Sequence, residues 1–600
     1  MKGARDSLAT SRDGTACALK KEMAEGATED METNATSNGS EEMETNAKAA
    51  KQKRYDRQLR LWGEHGQEAM EECSVCLLNA SACGSETLKN LVLPGIGSFT
   101  IVDGANVTQA DLGNNFFVDD DCLGKSRAAS VTQMLQELNE HVAGSYVAED
   151  ISQVLDSRPD FLDSFNLLIA TQLASKDVDR VAKICAERRI KLLVVHSYGF
   201  MGYIRMMLGE HLVVETHPDH AISDLRVLAP PPALQAFVRE RYADLSTLST
   251  AEYAHVPYVV LLLKAVEAWA AANGGGAPST YKQKQEVKAL VEQFRRVDVQ
   301  NDTNIDEAKN AINTSLGLPK PSSSVGELLK AARARVSQLA AEMHGGSVSA
   351  TGGEPKDISL ATRRQQLSFW LMAAAVAAFL EAEGCGLLPL GGTIPDMTAH
   401  TDTYVALQGI YLAQAQLDLH AVQAHLQQLV AMESLPADLV TTPALKRFCK
   451  NAHNLTVVPY RSLAEEGAPE TAKLAALSAA LDDEASSGAL YVMLRAAQAF
   501  YAGRSRWPGQ CDSEVESDVS MLKQCVTEVT KELNLSTTPM LDDLVSEFCR
   551  WGGSEMHNVS SVMGGIASQE AIKAVTHQYI PLDNTFIFNG TNGTTATLQL

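Results

Sequence analysis

A strand, a short helix and a second strand follow one another from residue 73, and that order constrains the fold more than any other feature. Cys73–Asn79 (CSVCLLN) is an apolar run of strand length. Ser85–Leu93 (SETLKNLVL) has helical periodicity and stops at Pro94-Gly95, and Ser98–Asp103 (SFTIVD) is a second apolar run ending in an acid. Two strands joined through a helix lie parallel, with the crossover packed on a face of the sheet. Ser145–Val147, Asn166–Ala170 and Lys191–Val195 supply further strands, with helical stretches such as Ser126–Leu138 between them. The expected class is therefore α/β, a mostly parallel sheet covered on both faces.

The pattern changes after about residue 210. Tyr258–Ala272, Val325–Met343, Arg364–Glu383, Tyr404–Met432 and Thr471–Leu481 carry apolar residues at three- and four-residue spacing, the mark of helices. Gly274-Gly275-Gly276 and His344–Lys356 (HGGSVSATGGEPK) read as solvent loops. Leu490–Phe500 and Asn558–Gln578 read as helices, the latter with a small-residue face around Gly564-Gly565-Ile566-Ala567. Thr585–Phe588 and Ala596–Leu600 read as a closing hairpin, with Asn589-Gly590 and Asn592-Gly593 as turn residues. The expected organisation is a tail over 1–50, an α/β part over 51–210, an inserted helical domain over 211–485 and a return to the α/β part over 486–600. The tail has no Ile, Val, Phe, Tyr or Trp and repeats METNA at Met31–Ala35 and Met43–Ala47, so it is expected to be disordered.

Charge limits the partners. The 600 residues hold 51 Lys+Arg and 74 Asp+Glu, a net charge of −23, which repels nucleic acid and anionic membranes and suits a basic protein partner. The most apolar run, Ser368–Leu380, falls short of a membrane span, and the first residues lack the apolar core of a secretory signal. The 11 cysteines are scattered and odd in number, which favours a reducing compartment, cytoplasmic or nuclear. Cys73 and Cys76 form a lone CxxC with no second ligand pair, and their spacing puts them on opposite faces of a strand, so structural roles are expected.

The turn between the first strand and helix is where a dinucleotide-binding unit carries GxGxxG. Here it reads Asn79-Ala80-Ser81-Ala82-Cys83-Gly84, and only the third glycine survives. That glycine serves helix–strand packing, whereas the two lost ones shape the turn and admit the phosphates. Asp103 stands 19 residues after Gly84, a spacing that suits a ribose-binding acid, a helix cap or a solvated acid.

Longer motifs carry a resemblance. YDRQLRLWG (Tyr55–Gly63), LKNLVLPGIGSFTIVD (Leu88–Asp103), GNNFF (Gly113–Phe117), SYGFMGYIR (Ser197–Arg205), THPD (Thr216–Asp219), GTIPDM (Gly392–Met397), RSLAEE (Arg461–Glu466), EFCRWG (Glu547–Gly552) and the final ATLQL are similar to activating enzymes of ubiquitin-like proteins. More narrowly, the chain resembles the family of regulatory, non-catalytic subunits of the neddylation (RUB) activating enzyme, also called the amyloid-precursor-protein-binding protein one family, over residues 53–600. The resemblance implies a Rossmann-like adenylation pseudo-domain of ThiF/MoeB type, interrupted by a helical domain that lacks the catalytic cysteine.

Catalytic members of the superfamily adenylate the modifier's carboxyl terminus and then capture it as a thioester. Measured against them, this chain has Gly113-Asn114-Asn115 where an Asn-Arg-Gln set stands. Lys125 and Arg127 keep some charge nearby, and no acid stands at Ala170-Thr171-Gln172 to hold magnesium. Cys385 and Cys449 lack the setting of the thioester site. The resemblance thus implies no cofactor on this chain, with ATP and Mg on a catalytic partner subunit, and a heterodimer that handles the ubiquitin-like modifier. It assigns Arg57 to the partner's ATP in trans, and Asp396, Met397, Tyr404, Leu407 and Gln408, in a turn and helix entry, to partner contact. Three alternatives stay open: the equivalent subunit for the SUMO modifier, a self-sufficient nucleotide-binding enzyme, and a scaffold with no catalytic contribution.

Overall fold

The computed structural model describes residues 51–219, 223–300, 302–345, 358–467, 474–481, 487–536 and 538–600. The 1–50 tail, most of the second Gly-rich loop and residues 471–473 of the expected helix Thr471–Leu481 lie outside the described residues. Two units are distinguished, Met1–Leu61 and Trp62–Leu600. The described end of the first enters the helix Asp56–Glu71, which breaks at Gly63, where φ is +69°.

Eight strands of the second unit form one sheet in the order β10-β9-β6-β5-β4-β1-β2-β3. They are β1 (Ser74–Leu78), β2 (Ser98–Val102), β3 (Ala143–Val147), β4 (Leu167–Thr171), β5 (Lys191–Tyr198), β6 (Met201–Met207), β9 (Thr585–Asn589) and β10 (Thr594–Leu598). The first five are parallel, with Ser74 opposite Ser98 and Val75 opposite Leu167; β6, β9 and β10 extend the sheet antiparallel from β5. The chain winds outward from β1 through β2 to β3, then returns to the other side of β1 for β4 and β5. The crevice at the carboxyl ends of β1 and β4 is the topological switch point, where open α/β sheets receive ligands.

Both faces are covered, as the unbroken apolar strands require. Leu77 and Ile101 pack on one face with Leu88, Val131, Met563 and Ala567. Cys76, Leu78 and Val102 pack on the other with Val154, Val181 and Cys185. Cys73 and Cys76 do face opposite ways, and burial pushes the Cys73 thiol up to about 12. The small-residue face of the helix His557–Thr576 lies against the helix Ala82–Val92. A Cβ on Gly564 would stand 2.7 Å from the Cβ of Glu86 and 2.9 Å from the amide nitrogen of Thr87, so glycine sets this approach.

Between β6 and β9 the chain is mainly helical. β7 (Glu210–Val213) and β8 (Thr456–Pro459) form a separate antiparallel pair. The helices Ser323–Gly345, Ile358–Glu381 and Thr401–Met432 build a core around Trp370, Phe369 and Phe448. Tyr258–Ala272, found at the residues expected, packs with Ile305, Leu407 and Tyr411 in a second core. The helices Ser487–Arg504, Val515–Glu532 and Pro539–Trp551 form a third core with Tyr198, Met201 and Ile587 of the sheet.

Candidate functional site

The crevice at the switch point is built by the turn after β1. Asn79 leaves the strand at φ +72°, a left-handed conformation that asparagine adopts more readily than most residues. The lost first glycine is therefore replaced in its turn-making role. Its side chain does what glycine cannot: Nδ2 donates to the Thr171 carbonyl at the end of β4 (2.9 Å), and Oδ1 accepts from Arg127 Nη2 (2.6 Å). Ser81 ends the turn as a helix cap, its Oγ accepting from the Gly84 amide at 3.2 Å. That cap starts the helix at Ala82 rather than Ser85. Gly84 keeps the packing role expected of it. A Cβ there would lie 2.6 Å from Thr171 Oγ1 and 2.9 Å from the Asn79 carbonyl oxygen.

The first two amides of the helix Ala82–Val92 point to where a phosphate sits in nucleotide-binding relatives of this fold. Here they donate to the carboxylate of Glu555, Ala82 N to Oε2 at 3.3 Å and Cys83 N to Oε1 at 3.1 Å. Glu555 comes from the segment between the helices Pro539–Trp551 and His557–Thr576, held beside β5 by the Gly199 amide donating to the Ser554 carbonyl at 2.7 Å. Burial raises the Glu555 pKa above the ordinary glutamate value, against the pull of the Cys83 and Ala82 amides, Ser81 and Arg127. Asn114 Nδ2 donates to the Glu555 carbonyl at 3.2 Å and fixes the segment from its other side. The neighbouring Asn115 donates to the Ala80 carbonyl and to Ser85 Oγ, each at 3.2 Å.

Arg127 fills the middle of the crevice. Its Nε donates to Asp103 Oδ2 at 2.7 Å and its Nη1 to Asp111 Oδ1 at 2.9 Å. Burial works against the guanidinium's charge, but the two carboxylates prevail and hold its pKa above the usual value. Asp111 is held below the carboxylate range: burial raises it, but the hydrogen bonds from Thr108 and the charge of Arg127 outweigh that. Asp103 also accepts from the amides of Ala80 (3.0 Å) and Ala105 (2.8 Å). It is buried in an ion-pair hub, so it is neither a solvated acid nor a helix cap. At the end of β4, Gln172 donates to the Ser197 carbonyl at 2.6 Å. The crevice is thus a closed network in which chain groups take the amides, the acid and the guanidinium.

The other expected residues lie elsewhere. Arg57 stands on the first unit with its side chain 92% exposed, and its nearest carboxylate, Asp56, is 4.0 Å from Nε. Asp56 is already engaged by Arg60 at 3.1 Å, so Arg57 presents a charge without a close partner among the described residues. In the turn and helix entry at 396–408, Asp396 and Gln408 face solvent and Tyr404 is half-buried. Met397 is buried and Leu407 wholly so, both within the core around Tyr411. The structure places these two inward, and the exposed apolar residues nearest them on the helix Thr401–Met432 are Val405 and Leu412. Cys449 is buried and its thiol pushed up to about 12 by that burial, while Cys385 is exposed in a turn at φ +48°. Among the described residues no three His, Cys, Asp or Glu side chains gather to hold a metal, and no helix is long and apolar enough to cross a membrane.

Glu555 escaped the sequence reading. It follows the EFCRWG motif by three residues, but nothing in its neighbourhood marks a carboxylate bound for a helix end 472 positions earlier. The only local sign is Gly552-Gly553, both at positive φ, which turns the chain there.

The ThiF family matches residues 55–600. A NEDD8-activating enzyme E1 regulatory subunit from Xenopus laevis is 40% identical over 554 residues, 92% of this chain and 99% of that protein. The NEDD8-activating enzyme E1 regulatory subunit AXR1 of Arabidopsis thaliana is 39% identical over 549 residues, 91% of this chain and 96% of that one. Among solved structures, E. coli MccB aligns with 28% of this chain and 49% of its own, at 16% identity and a TM-score of 0.24.

Proposed function

Because the chain belongs to the ThiF family and, within it, to the regulatory subunits of the NEDD8-activating enzyme, we propose that it is the non-catalytic half of a heterodimer. The catalytic partner would bind ATP and Mg, adenylate NEDD8 and form the thioester. The observation that carries this reading is the occupied crevice. Glu555 takes the two helix amides that a phosphate would need, and Arg127 is locked between Asp103 and Asp111. A nucleotide entering here would have to displace an internal carboxylate and break a buried ion-pair hub. The same observation weighs against a self-sufficient nucleotide-binding enzyme, and the NEDD8 names of the relatives weigh against the SUMO counterpart.

This subunit's chemical contribution would be Arg57. An exposed guanidinium without a close partner is suited to neutralise a polyphosphate held by another chain. The contact with the partner would run through Asp396, Tyr404 and Gln408, with Met397 and Leu407 supporting that surface from beneath. The net charge of −23 suits a partner or modifier surface that is basic.

The test is ATP–pyrophosphate exchange with NEDD8 present, run on this chain, on the catalytic subunit and on the two mixed. Exchange in the mixture alone is the expected result; exchange by this chain alone would overturn the reading. In the mixture, Arg57→Ala should slow exchange while the complex still forms. An unchanged rate would remove Arg57 from the site and leave the scaffold alternative standing.

A further inference from the structure

The helix Thr401–Met432 is the longest among the described residues, 32 residues or about 48 Å. Its inner side is spent on the two cores of the helical part, Leu407 and Tyr411 in one, Val422 and Leu426 in the other. Its outer side lacks charged residues. From Thr403 to Met432 the one Asp, Glu, Lys or Arg is Asp418, and it is buried. It accepts from the Leu390 amide at 2.9 Å and from Gln414 Nε2 at 2.8 Å. Charged residues make up 21% of the chain, so a stretch of this length would ordinarily hold about six.

What the outer side carries instead is apolar. Val405, Leu412 and Leu417 are 57, 45 and 63% exposed, with the side-chain amides of Gln408 and Gln416 among them. Positions 405, 409, 412 and 416 recur at four- and three-residue spacing and so share one face. Gly409 stands in the middle of that face. A Cβ there would meet nothing within 4 Å, so no contact within the described chain requires this residue to be small. Glycine inside a helix weakens it relative to alanine. A small residue with no internal cause fits the close approach of something outside the chain.

We propose that this face, from Val405 to Leu417 with Gly409 at its centre, docks an uncharged, apolar helix face of the catalytic partner subunit. The inference rests on the heterodimer reading above. The core of a protein interface is depleted in charge, because a charge buried there loses its water. The face from Val405 to Leu417 meets that condition. Two other occupants suit it less. A second copy carries the same net charge of −23, so two copies repel each other. The 1–50 segment holds ten acidic and six basic residues, which an apolar face would desolvate without pairing. The catalytic partner already has a foothold in the proposed reading. Tyr404 and Gln408, which the resemblance assigns to it, lie at the amino end of the same helix. The contact then continues along the helix over Gly409 and Leu412.

The experiment measures association of the purified full chain with the catalytic subunit, by calorimetry or by dissociation rate, beside sedimentation of the chain alone. Gly409→Leu is the sharpest variant, because a role within the helix and a role in docking predict opposite signs. The free variant should melt no lower than the wild type, since leucine favours the helix, yet it should bind the partner about tenfold more weakly or worse. Leu412→Glu sets a charge in the face and should weaken binding at least as much; it decides the matter if the glycine variant fails to fold. Wild-type affinity in every folded variant would overturn the proposal and leave the heterodimer standing. A wild-type pair that does not associate would overturn the heterodimer reading and this proposal with it. Self-association of the chain alone, lost in Leu412→Glu while partner binding holds, would give the face to a second copy and overturn it too.

Discussion

The two ends of the same sheet treat their polar groups in opposite ways. At the carboxyl end, the crevice between β1 and β4 leaves almost nothing open: the helix amides have Glu555, and Arg127 has two carboxylates and an amide oxygen. At the amino end, around the start of β5, Lys191 keeps a charge without a counter-ion and His211 keeps two nitrogens without partners among the described residues. Satisfied buried polar groups make a brace, and unsatisfied ones are costly to maintain unless something binds them. The place where the fold ordinarily binds nucleotide is braced by the chain's own groups, although among the described residues Asn114 Oδ1 and Ser197 Oγ stay without a partner there, and the cation without a counter-charge lies at the opposite end.

The hardest break to this contrast is Arg127→Met. It leaves Asp103 and Asp111 facing each other in a buried site, and removing one member of such a network costs roughly 3–5 kcal/mol. Chemical denaturation should show that loss. A loss near zero would mean that the crevice is hydrated and the guanidinium is no brace.

Glu555→Ala comes next. It strips the Ala82 and Cys83 amides of their acceptor, which costs about 1–3 kcal/mol for groups left unsatisfied. Glu555→Gln keeps an acceptor oxygen and should cost less. The pH dependence separates charge from hydrogen bonding. The folded-state pKa of Glu555 is raised by burial, so its contribution is greatest below the unfolded value and falls as pH rises through the folded one. The wild-type chain should therefore gain stability relative to Glu555→Gln as the pH is lowered from 7 into the glutamate range. A difference flat with pH would show that the carboxylate is solvated.

Gly84→Ala tests the packing role of the surviving glycine. Its Cβ would meet Thr171 Oγ1 and the Asn79 carbonyl oxygen well inside contact distance, and a backbone atom yields poorly. A loss of about 1–3 kcal/mol is expected from a methyl forced into such a site. Arg57→Ala should do least to stability, within about 0.5 kcal/mol, because its side chain is 92% exposed. Its whole effect should appear in the exchange rate of the mixed subunits.

The sequence announced the sheet well where strands were buried on both faces. β1, β2, β4 and β5 are apolar runs whose period needs no partner to be recognised. It announced β6 only as a motif, because Gly199 at φ +57° and Gly202 interrupt the apolar pattern of Ser197–Arg205. At the crevice, the loss of two glycines was plain, and so was the retained third. What replaced them was not, because Asn79, Arg127 and Glu555 meet only after the chain has wound through the sheet twice. Asp103 shows the limit of spacing arguments: the distance to Gly84 along the chain fits a ribose acid, and the neighbouring Arg127 gives it a different partner. The inward placing of Leu407 could have been read from helical spacing, since Thr403, Leu407 and Tyr411 recur every four residues on the buried side of the helix Thr401–Met432.

A ligand that is part of the chain cannot be diluted. Glu555 competes for its amides at a local concentration set by the fold that pins its segment beside β5, not by the contents of the cell. Free nucleotide stabilises a protein by an amount that grows with the logarithm of its concentration over the dissociation constant, and a crevice already held by its own carboxylate should have little such dependence. The folded lifetime of this subunit should therefore stay level through swings in cellular ATP that would raise and lower the stability of a subunit whose crevice is open.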